Sequence, residues 1–266
     1  MVGCHPHERV GTDMAQRTIG IIVAMPEEIR PLLKGAPTVQ KEMMGTFPLY
    51  RFTQHSRQFA LIQSGIGADR ALAAAQLLTE RLNPELLISM GFGGGISPEL
   101  KVGDIVIGAR FLVHQGDCMT ETSGVRIVPL PDAVIHSKKS SGFNIAQGTI
   151  ISTTGVQSKE GIARQMPEQI TRAVVDMETC AIVRFATLSR TPLMAIRCIS
   201  DDLNEELGFS MDEFMDSTMQ VSVAKVCMTV VRKPWIIPQL YRLYRNTDRA
   251  GKNLCTVFTL LRENLA

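Results

Sequence analysis

The segment of residues 174–202 constrains the fold more than any other part of the chain. It opens on a short β-type run that ends at Asp176, continues with apolar residues at helical spacing, and closes on an apolar strand that ends at Asp201. Strand, helix and strand in this order are typical of an α/β sheet, where polar residues collect at the carboxyl ends of strands. We therefore expect Glu178, at the start of the helix, and Asp201 to face one crevice.

Further strands and helices alternate along the chain. Residues 18–24 form a continuous apolar run, and Pro26 with two following glutamates then predicts the start of a helix. Glu28, the second of these glutamates, is either a first-turn charge that suits the helix N-terminus or a group that turns toward the crevice. The alternation predicts one α/β domain with a mostly parallel or mixed sheet.

Two glycine-rich stretches follow predicted strands. The first contains Gly65 and Gly67, and the second contains Gly91, Phe92, Gly93 and Gly94. Glycine after a strand lets backbone N–H groups approach an anion or a ribose hydroxyl, although many such turns need glycine only to avoid steric conflict. We predict that the second stretch is a loop near the ligand. It is neither a Walker loop nor a dinucleotide fingerprint, since it lacks G-K-[ST] and opens no helix.

Composition excludes several classes of protein. The 266 residues are 45% apolar and 20% charged, with a net charge of +2, which is ordinary for a globular protein and gives no reason to expect nucleic acid binding. No apolar run reaches the roughly 20 residues that span a bilayer, and the first 17 residues lack the apolar segment expected of a secretory signal. Six cysteines without a C-x-x-C pair and five scattered histidines predict a reducing cytoplasm and no bound metal.

Five motifs together resemble the nucleoside phosphorylase and nucleosidase superfamily. In order they are I-G-I-I-V-A-M-P-E-E, S-G-I-G, G-F-G-G-G-I-S-P-E-L-K-V-G-D-I-V, V-V-D-M-E-T and I-R-C-I-S-D. The first and last look most like the 5′-methylthioadenosine/S-adenosylhomocysteine nucleosidases. The resemblance implies a single three-layer α/β/α domain with a central mixed β-sheet, phosphorylase/hydrolase-like. It also implies a homodimer that cleaves the N-glycosidic bond of a purine ribonucleoside.

The resemblance assigns a role to each of three acidic residues. Asp201 matches the acid that protonates the purine N7, Glu28 matches the group that activates the attacking water, and Glu178 matches the carboxylate that binds the ribose hydroxyls. An acid is needed because adenine is a poor leaving group until it is protonated. The local sequence leaves a structural alternative open to each of two catalytic roles. Glu178 can be a carboxylate at the start of a helix, and Asp201 can cap the turn after its strand.

Other residues are expected around the same nucleoside. Met177 packs against the ribose, Val156 and Ser200 contact the purine, and Arg197 either supports the site or forms a structural ion pair. Two of the family's features are missing, since Phe92 stands where the nucleosidases carry a serine and Val156 stands near their adenine-stacking phenylalanine.

The nucleophile therefore stays open at this point. The glycine-rich stretch has no arginine for phosphate, which favours water, but Arg70 or Arg110 can supply one. We expect no cofactor, with inorganic phosphate left open as a co-substrate. A phosphate-dependent purine nucleoside phosphorylase and a non-catalytic nucleoside-binding protein are the two alternatives to a nucleosidase that releases adenine from a 5′-substituted adenosine.

We divide the chain into a flexible tail (residues 1–17), the nucleoside phosphorylase/nucleosidase-like domain (residues 18–231), which ends in a methionine-rich helix over 211–231, and a helical extension (residues 232–266). Residues 232–252 carry six basic residues against one acid, together with Trp235, Tyr241 and Tyr244. This composition resembles an amphipathic segment at a membrane interface. The alternative is a basic helix that packs on its own domain or on a second subunit.

The extension looks more like the hopanoid-associated branch of the family than like the methylthioadenosine nucleosidases. That branch is thought to remove adenine from adenosylhopane, a lipid-linked nucleoside. We expect a cytoplasmic protein, with peripheral contact to the inner membrane through residues 232–252 left open.

Overall fold

The computed structural model describes residues 17–136, 142–155, 157–203, 228–229 and 232–265. The predicted tail, apart from Arg17, lies outside the described residues. So do Val156 and nearly all of the helix predicted over residues 211–231.

The described residues form one ten-stranded mixed sheet with helices on both faces. The strands are β1 (Thr18–Val23), β2 (Gln40–Met44), β3 (Phe47–Gln54), β4 (Arg57–Gln63), β5 (Leu86–Gly95), β6 (Ile105–Gln115), β7 (Cys118–Glu121), β8 (Ile145–Thr153), β9 (Ala173–Asp176) and β10 (Leu193–Asp201). The helices are α1 (Pro26–Leu32), α2 (Ala68–Leu82), α3 (Asp132–His136), α4 (Lys159–Gln165), α5 (Thr179–Ser189) and α6 (Ile237–Asn264), which follows a 3₁₀ turn at Pro234–Ile236.

Part of the sheet closes on itself. The strand order is β10-β6-β8-β9-β5-β1-β4-β3-β2, and β10 also pairs with β5. Strands β5, β10, β6, β8 and β9 therefore form a closed ring, and β1, β4, β3 and β2 extend from it as an open sheet. Strands β3 and β4 pair in antiparallel fashion within this open sheet.

The side chains of β1 show why its sequence is apolar throughout. Ile19 and Ile21 pack in the core layer that contains α1 and α6, whereas Ile22 packs in the layer that contains α2 and α5. Successive side chains of a strand point to opposite faces, so a strand covered on both sides needs apolar residues at every position. The predicted α/β/α arrangement with a mixed sheet is confirmed.

The strand–helix–strand segment of residues 174–202 is not a simple parallel pair. Strand β5 lies between β9 and β10, running parallel to β10 and antiparallel to β9. Strand β9 joins the ring through a parallel pairing with β8 on its other side, and it closes the ring by pairing antiparallel to β5. The two strand ends still come together, because Gly94 of β5 pairs with Val175 of β9 on one side and with Asp201 of β10 on the other.

The prediction of a glycine loop at residues 91–94 is wrong, because these residues belong to β5. Gly91, Phe92, Gly93 and Gly94 all pair with β10. Glycine is needed here for close approach, since a Cβ added at Gly93 would lie 2.6 Å from Cγ2 of Val174.

The second half of α6 is part of the domain core. Its fully buried residues are Ala250, Leu254, Val257, Phe258 and Leu261. The Phe258 ring meets Phe52 and Phe59 edge-on, with ring centroids 6.5 and 6.2 Å apart. The extension predicted from residue 232 thus packs on its own domain over this half. Among the described residues, no helix is both long and apolar enough to cross a membrane.

We predict that Phe258→Ala lowers the free energy of unfolding by about 3–5 kcal/mol, because it removes a buried ring and leaves a cavity beside the stacked rings of Phe52 and Phe59. Chemical denaturation measures the change. Tyr244→Ala, in the exposed first half of the same helix, is the matched control and should change stability by less than about 0.5 kcal/mol. Similar stability of both variants would contradict the packing of α6 in the core.

Candidate active site

The start of α1 holds the Glu28 carboxylate in place. Oε2 accepts hydrogen bonds from the backbone N–H groups of Ala24 (3.0 Å) and Met25 (2.8 Å), and Oε1 accepts one from the N–H of Phe92 at 2.6 Å. Glu28 is only 3% exposed. Both sequence interpretations therefore hold in part, because the carboxylate binds the first N–H groups near its helix and also reaches β5.

Gly91 makes this position possible. A Cβ added at Gly91 would lie 2.6 Å from Oε1 of Glu28, closer than nonbonded atoms approach. The glycine in β5 thus leaves the space that the Glu28 carboxylate occupies.

Glu178 stands at the N-terminus of α5 but does not cap it with its side chain. Its Oε1 instead accepts a hydrogen bond from the N–H of Gly67 at 2.8 Å, and Oε2 accepts one from the N–H of Met177 at 3.4 Å. Gly67 has a φ of 104°, which favours glycine and turns its N–H toward Glu178. Gly65 precedes it in the same turn with a φ of 82°.

Asp176 caps α5 instead and forms a buried ion pair with Arg197. One carboxylate oxygen accepts hydrogen bonds from the N–H of Thr179 (3.2 Å) and from Nε of Arg197 (2.9 Å), and the other accepts one from Oγ of Ser152 at 2.5 Å. Arg197 also donates to Oγ of Ser89 at 2.9 Å. Arg197 is therefore a structural ion-pair partner, as one interpretation predicted.

Arg197 also lines a cavity with the two glutamates. Glu28, Glu178 and Arg197 face a space of about 10 Å³, counted as the volume open to the centre of a water molecule. This volume holds about one water. The remaining lining residues are Ile22, Ala24, Ser64, Ser89, Met90, Gly91, Phe92 and Ile182.

The environment raises the pKa of both glutamates above the ordinary value of a carboxyl group. Burial raises the pKa of Glu28, and this effect is opposed by the N–H groups of Phe92 and Met25 and by the charge of Arg197. Burial, followed by the negative charge of Asp176, raises the pKa of Glu178 to about 7. Carboxyl groups with raised pKa that share a cavity are suited to proton transfer near neutral pH.

Asp201 lies at a different point along β5 and does not line this cavity. It pairs with Gly94, where an added Cβ would lie 3.1 Å from Oδ2 of Asp201. Gly94 is three residues beyond Gly91, a distance of about 10 Å along the strand. The structure thus joins Glu28 and Glu178 and places Asp201 further along the same glycine-rich strand.

Side chains hold the Asp201 carboxylate. Nζ of Lys159 lies 2.7 Å from Oδ2, and Oγ of Ser200 donates to Oδ1 at 2.6 Å. Nζ of Lys159 also donates to the backbone carbonyl of Asp202. Asp201 therefore sits in an ion pair at the end of β10.

Sequence reasoning missed Lys159. It is the first residue of α4, directly after the N-cap Ser158, and it is only 8% exposed. A cation at a helix N-terminus is unfavourable, and a buried lysine is rare.

The other predicted residues have less direct positions. The Phe92 ring is buried against α6, where Gly251 approaches it, so its N–H rather than its ring contacts a candidate catalytic group. Met177 is partly exposed beside Glu178. Arg110 pairs with Glu121 at the surface, and Nε of Arg70 donates to the Ser64 carbonyl at 2.8 Å.

We predict that wild-type stability falls, relative to Glu178→Gln, as the pH rises. The folded-state pKa of about 7 lies above the ordinary value of 4.5, so folding favours the protonated carboxyl. The favourable contribution is complete below about pH 4.5 and is lost as the pH rises through about 7, a difference of about 3 kcal/mol. Thermal unfolding of both proteins from about pH 5 to about pH 8 measures it. A constant difference in Tm across this range would contradict the raised pKa.

Known proteins match this chain over most of its length. Residues 18–232 match the family model described as the phosphorylase superfamily. The chain is 30% identical over 216 residues to a 5′-methylthioadenosine/S-adenosylhomocysteine nucleosidase of Listeria innocua, an alignment that covers 74% of this chain and 92% of the relative.

Solved structures share the fold. The crystal structure of the Campylobacter jejuni 5′-methylthioadenosine/S-adenosylhomocysteine nucleosidase superposes with a TM-score of 0.66 at 16% identity, covering 93% of this chain and 99% of the other. The structure of futalosine hydrolase from Helicobacter pylori gives a TM-score of 0.68 at 16% identity, with 93% and 98% covered.

Proposed function

This chain belongs to the phosphorylase superfamily, and on that premise we propose that it is a nucleosidase that uses water to release adenine from a 5′-substituted adenosine. One observation carries the choice of water. The cavity that Glu28, Glu178 and Arg197 share holds about one water molecule, and both glutamates have raised pKa values. A carboxylate beside a single enclosed water is the arrangement that hydrolysis needs.

In the proposed reaction, Glu28 accepts a proton from the water as its oxygen bonds to C1′ of the ribose. The N9–C1′ bond breaks through an oxocarbenium-like state, and its electron pair moves into the purine. The step requires Asp201 to carry a proton when the nucleoside is bound; it gives that proton to N7 and becomes the carboxylate that pairs with Lys159, so adenine leaves as a neutral base. Ser200 orients the Asp201 carboxyl, at 2.6 Å from Oδ1.

The spacing along β5 fits a nucleoside that lies along the strand. Glu178 binds the ribose hydroxyls near Gly91, with Met177 against the sugar, while the base extends toward Gly94 and Asp201. The separation of about 10 Å between these two glycines is one that a sugar and its base span together. Val156 is proposed as a purine contact from its position after β8.

The 5′ substituent has two candidate classes. The Listeria innocua relative is named for methylthioadenosine and S-adenosylhomocysteine, which supports a small thioether nucleoside. The basic, aromatic residues 232–252 support a lipid-linked nucleoside of the adenosylhopane type. The proposal includes a cytoplasmic homodimer that reaches the inner membrane surface through these residues.

Incubation with methylthioadenosine, S-adenosylhomocysteine and adenosine, with and without inorganic phosphate, tests the reaction. We expect adenine and a free sugar at the same rate in both conditions. A requirement for phosphate, with a sugar 1-phosphate as product, would establish a phosphorylase instead. No adenine from these nucleosides or from a lipid-linked adenosine would contradict the proposal.

We predict that Asp201→Asn lowers kcat for adenine release by about 100- to 10,000-fold, because asparagine cannot donate the proton to N7. Nucleoside binding, measured by calorimetry, should remain detectable. Asp132→Asn, at an exposed aspartate of α3, is the matched control and should keep wild-type kcat. Unchanged kcat in Asp201→Asn would refute its role as the acid.

Lys159 is proposed to position Asp201, so Lys159→Met should lower kcat by about 10- to 100-fold, the value of one charge-assisted hydrogen bond, with a smaller effect on KM. Lys159→Arg keeps the positive charge and should retain most of the wild-type kcat. Arg164→Met, at an exposed position of the same helix, controls for damage to α4. Equal losses in the methionine and arginine variants would contradict a role that depends on charge.

A further inference from the structure

Exposed hydrophobic side chains cluster in one part of the described chain. Of the eight large hydrophobic residues that are exposed there, five lie between residues 228 and 244, and each is at least 51% exposed. They are Met228, Trp235, Ile237, Tyr241 and Tyr244. Scattered exposed hydrophobic residues are normal, but a contiguous group marks an interaction surface.

The helix geometry places three of these side chains on one face. Ile237, Tyr241 and Tyr244 follow the i, i+4, i+7 spacing of one helix face. In α6 the residues from 237 to 249 include no buried residue, whereas the second half of the same helix is buried in the core. The first half therefore presents an amphipathic face that the rest of the described chain leaves uncovered.

Positive charge is concentrated in the segment that carries this face. The segment of residues 232–252 contains six basic residues and one acidic residue, although the whole chain has a net charge of only +2. The rest of the chain is therefore net acidic, and the basic charge is concentrated here. Lys252 pairs with Asp248 at 2.5 Å, and the Arg245 guanidinium lies 6.0 Å from the centre of the Tyr241 ring.

We propose that the aromatic face formed by Trp235, Ile237, Tyr241 and Tyr244 docks on an anionic lipid surface. Tryptophan and tyrosine place apolar rings below the headgroups while their polar atoms stay in water. The arginines around them are attracted to anionic headgroups by about 1 kcal/mol per charge.

Charge complementarity favours lipid over a second copy of the chain. A symmetric contact through this face would set the same basic patch against itself, and like charges across an interface are unfavourable. An anionic membrane supplies the opposite charge and an apolar layer for the rings.

The face is connected to the candidate active site. Seven residues after Tyr244, about 10 Å along the helix, Gly251 packs against Pro31 of α1 and approaches the Phe92 ring. The N–H of Phe92 binds Glu28. Docking through this face would account for the membrane contact proposed above. It rests on the proposed function only in taking the substrate to bind near Glu28.

Flotation with lipid vesicles tests the proposal on the full chain. We expect binding to vesicles of phosphatidylglycerol and phosphatidylcholine, at least tenfold weaker binding to phosphatidylcholine alone, and loss of binding in high salt. Two variants should each reduce binding at least tenfold. One is the triple variant Trp235→Ala/Tyr241→Ala/Tyr244→Ala, and the other is the double variant Arg242→Glu/Arg245→Glu.

Two matched variants control for hydrophobicity and charge elsewhere on the surface. Met43→Ala/Leu188→Ala removes other exposed hydrophobic side chains, and Arg81→Glu/Arg126→Glu reverses other exposed charges. Both should bind vesicles like the wild type. Equal loss in these variants would overturn the assignment of the face.

Three other results would also overturn the proposal. They are no binding to anionic vesicles, binding of single-stranded nucleic acid in place of vesicles, and a change of oligomeric state in the Trp235, Tyr241 and Tyr244 variant. Adenine release from soluble methylthioadenosine is measured in parallel and should match the wild type. Vesicle binding without turnover would reject the proposed reaction alone. Turnover without vesicle binding would reject this inference and the membrane contact proposed above, and it would leave the proposed reaction intact.

Discussion

The buried ion pair between Asp176 and Arg197 organises the centre of the molecule. It joins the end of β9 to β10, and through Ser89 and Thr179 it also ties in β5 and α5. A buried ion pair is favourable only when its remaining hydrogen-bonding groups are satisfied, and here hydroxyl and backbone groups satisfy them. The charge of Arg197 then acts on Glu28 and Glu178 across the shared cavity and partly opposes the effect of burial on their pKa values.

Backbone N–H groups position the carboxylates that face this cavity. Glu28 is bound by three such groups and Glu178 by two, and one donor in each set comes from a glycine-rich segment. Backbone donors move little, because the sheet and the helix starts hold them. Gly91 and Gly67 matter for different reasons, the first because its missing Cβ leaves space and the second because its φ is positive.

Sequence patterns predicted the layers of the fold but not the ring. Continuous apolar strands and the proline at the start of α1 report on local burial and helix geometry, which are properties of neighbouring residues. Pairing of β10 with both β5 and β6 depends on residues about 100 positions apart, and no local pattern encodes it. The glycines at 91–95 were predicted as a loop for the same reason, since their neighbours in β9 and β10 are distant in the chain.

The candidate site was predictable in its acidic residues and not in their partners. The family resemblance pointed to Glu28, Glu178 and Asp201, and their catalytic roles stay predictions. Lys159 carries no motif, and its contact with Asp201 arises because α4 and β10 converge in space. The aromatic and basic composition of residues 232–252 was visible in the sequence, but the division of α6 into a buried half and an exposed half was not.

Closure of the ring also affects how copies of this protein behave at high concentration. Unpaired strand edges invite pairing with other chains, and that pairing leads to aggregation. Among the described strands, the edges that remain belong to β2 and β7, which have only five and four residues. Lys41 and Glu42 project from β2 and are exposed, so a strand approaching from another molecule would meet charged side chains. Strands β9 and β10, which carry Asp176 and Asp201, each pair with another strand on both sides within the ring. This pairing keeps them from pairing with a strand of another molecule.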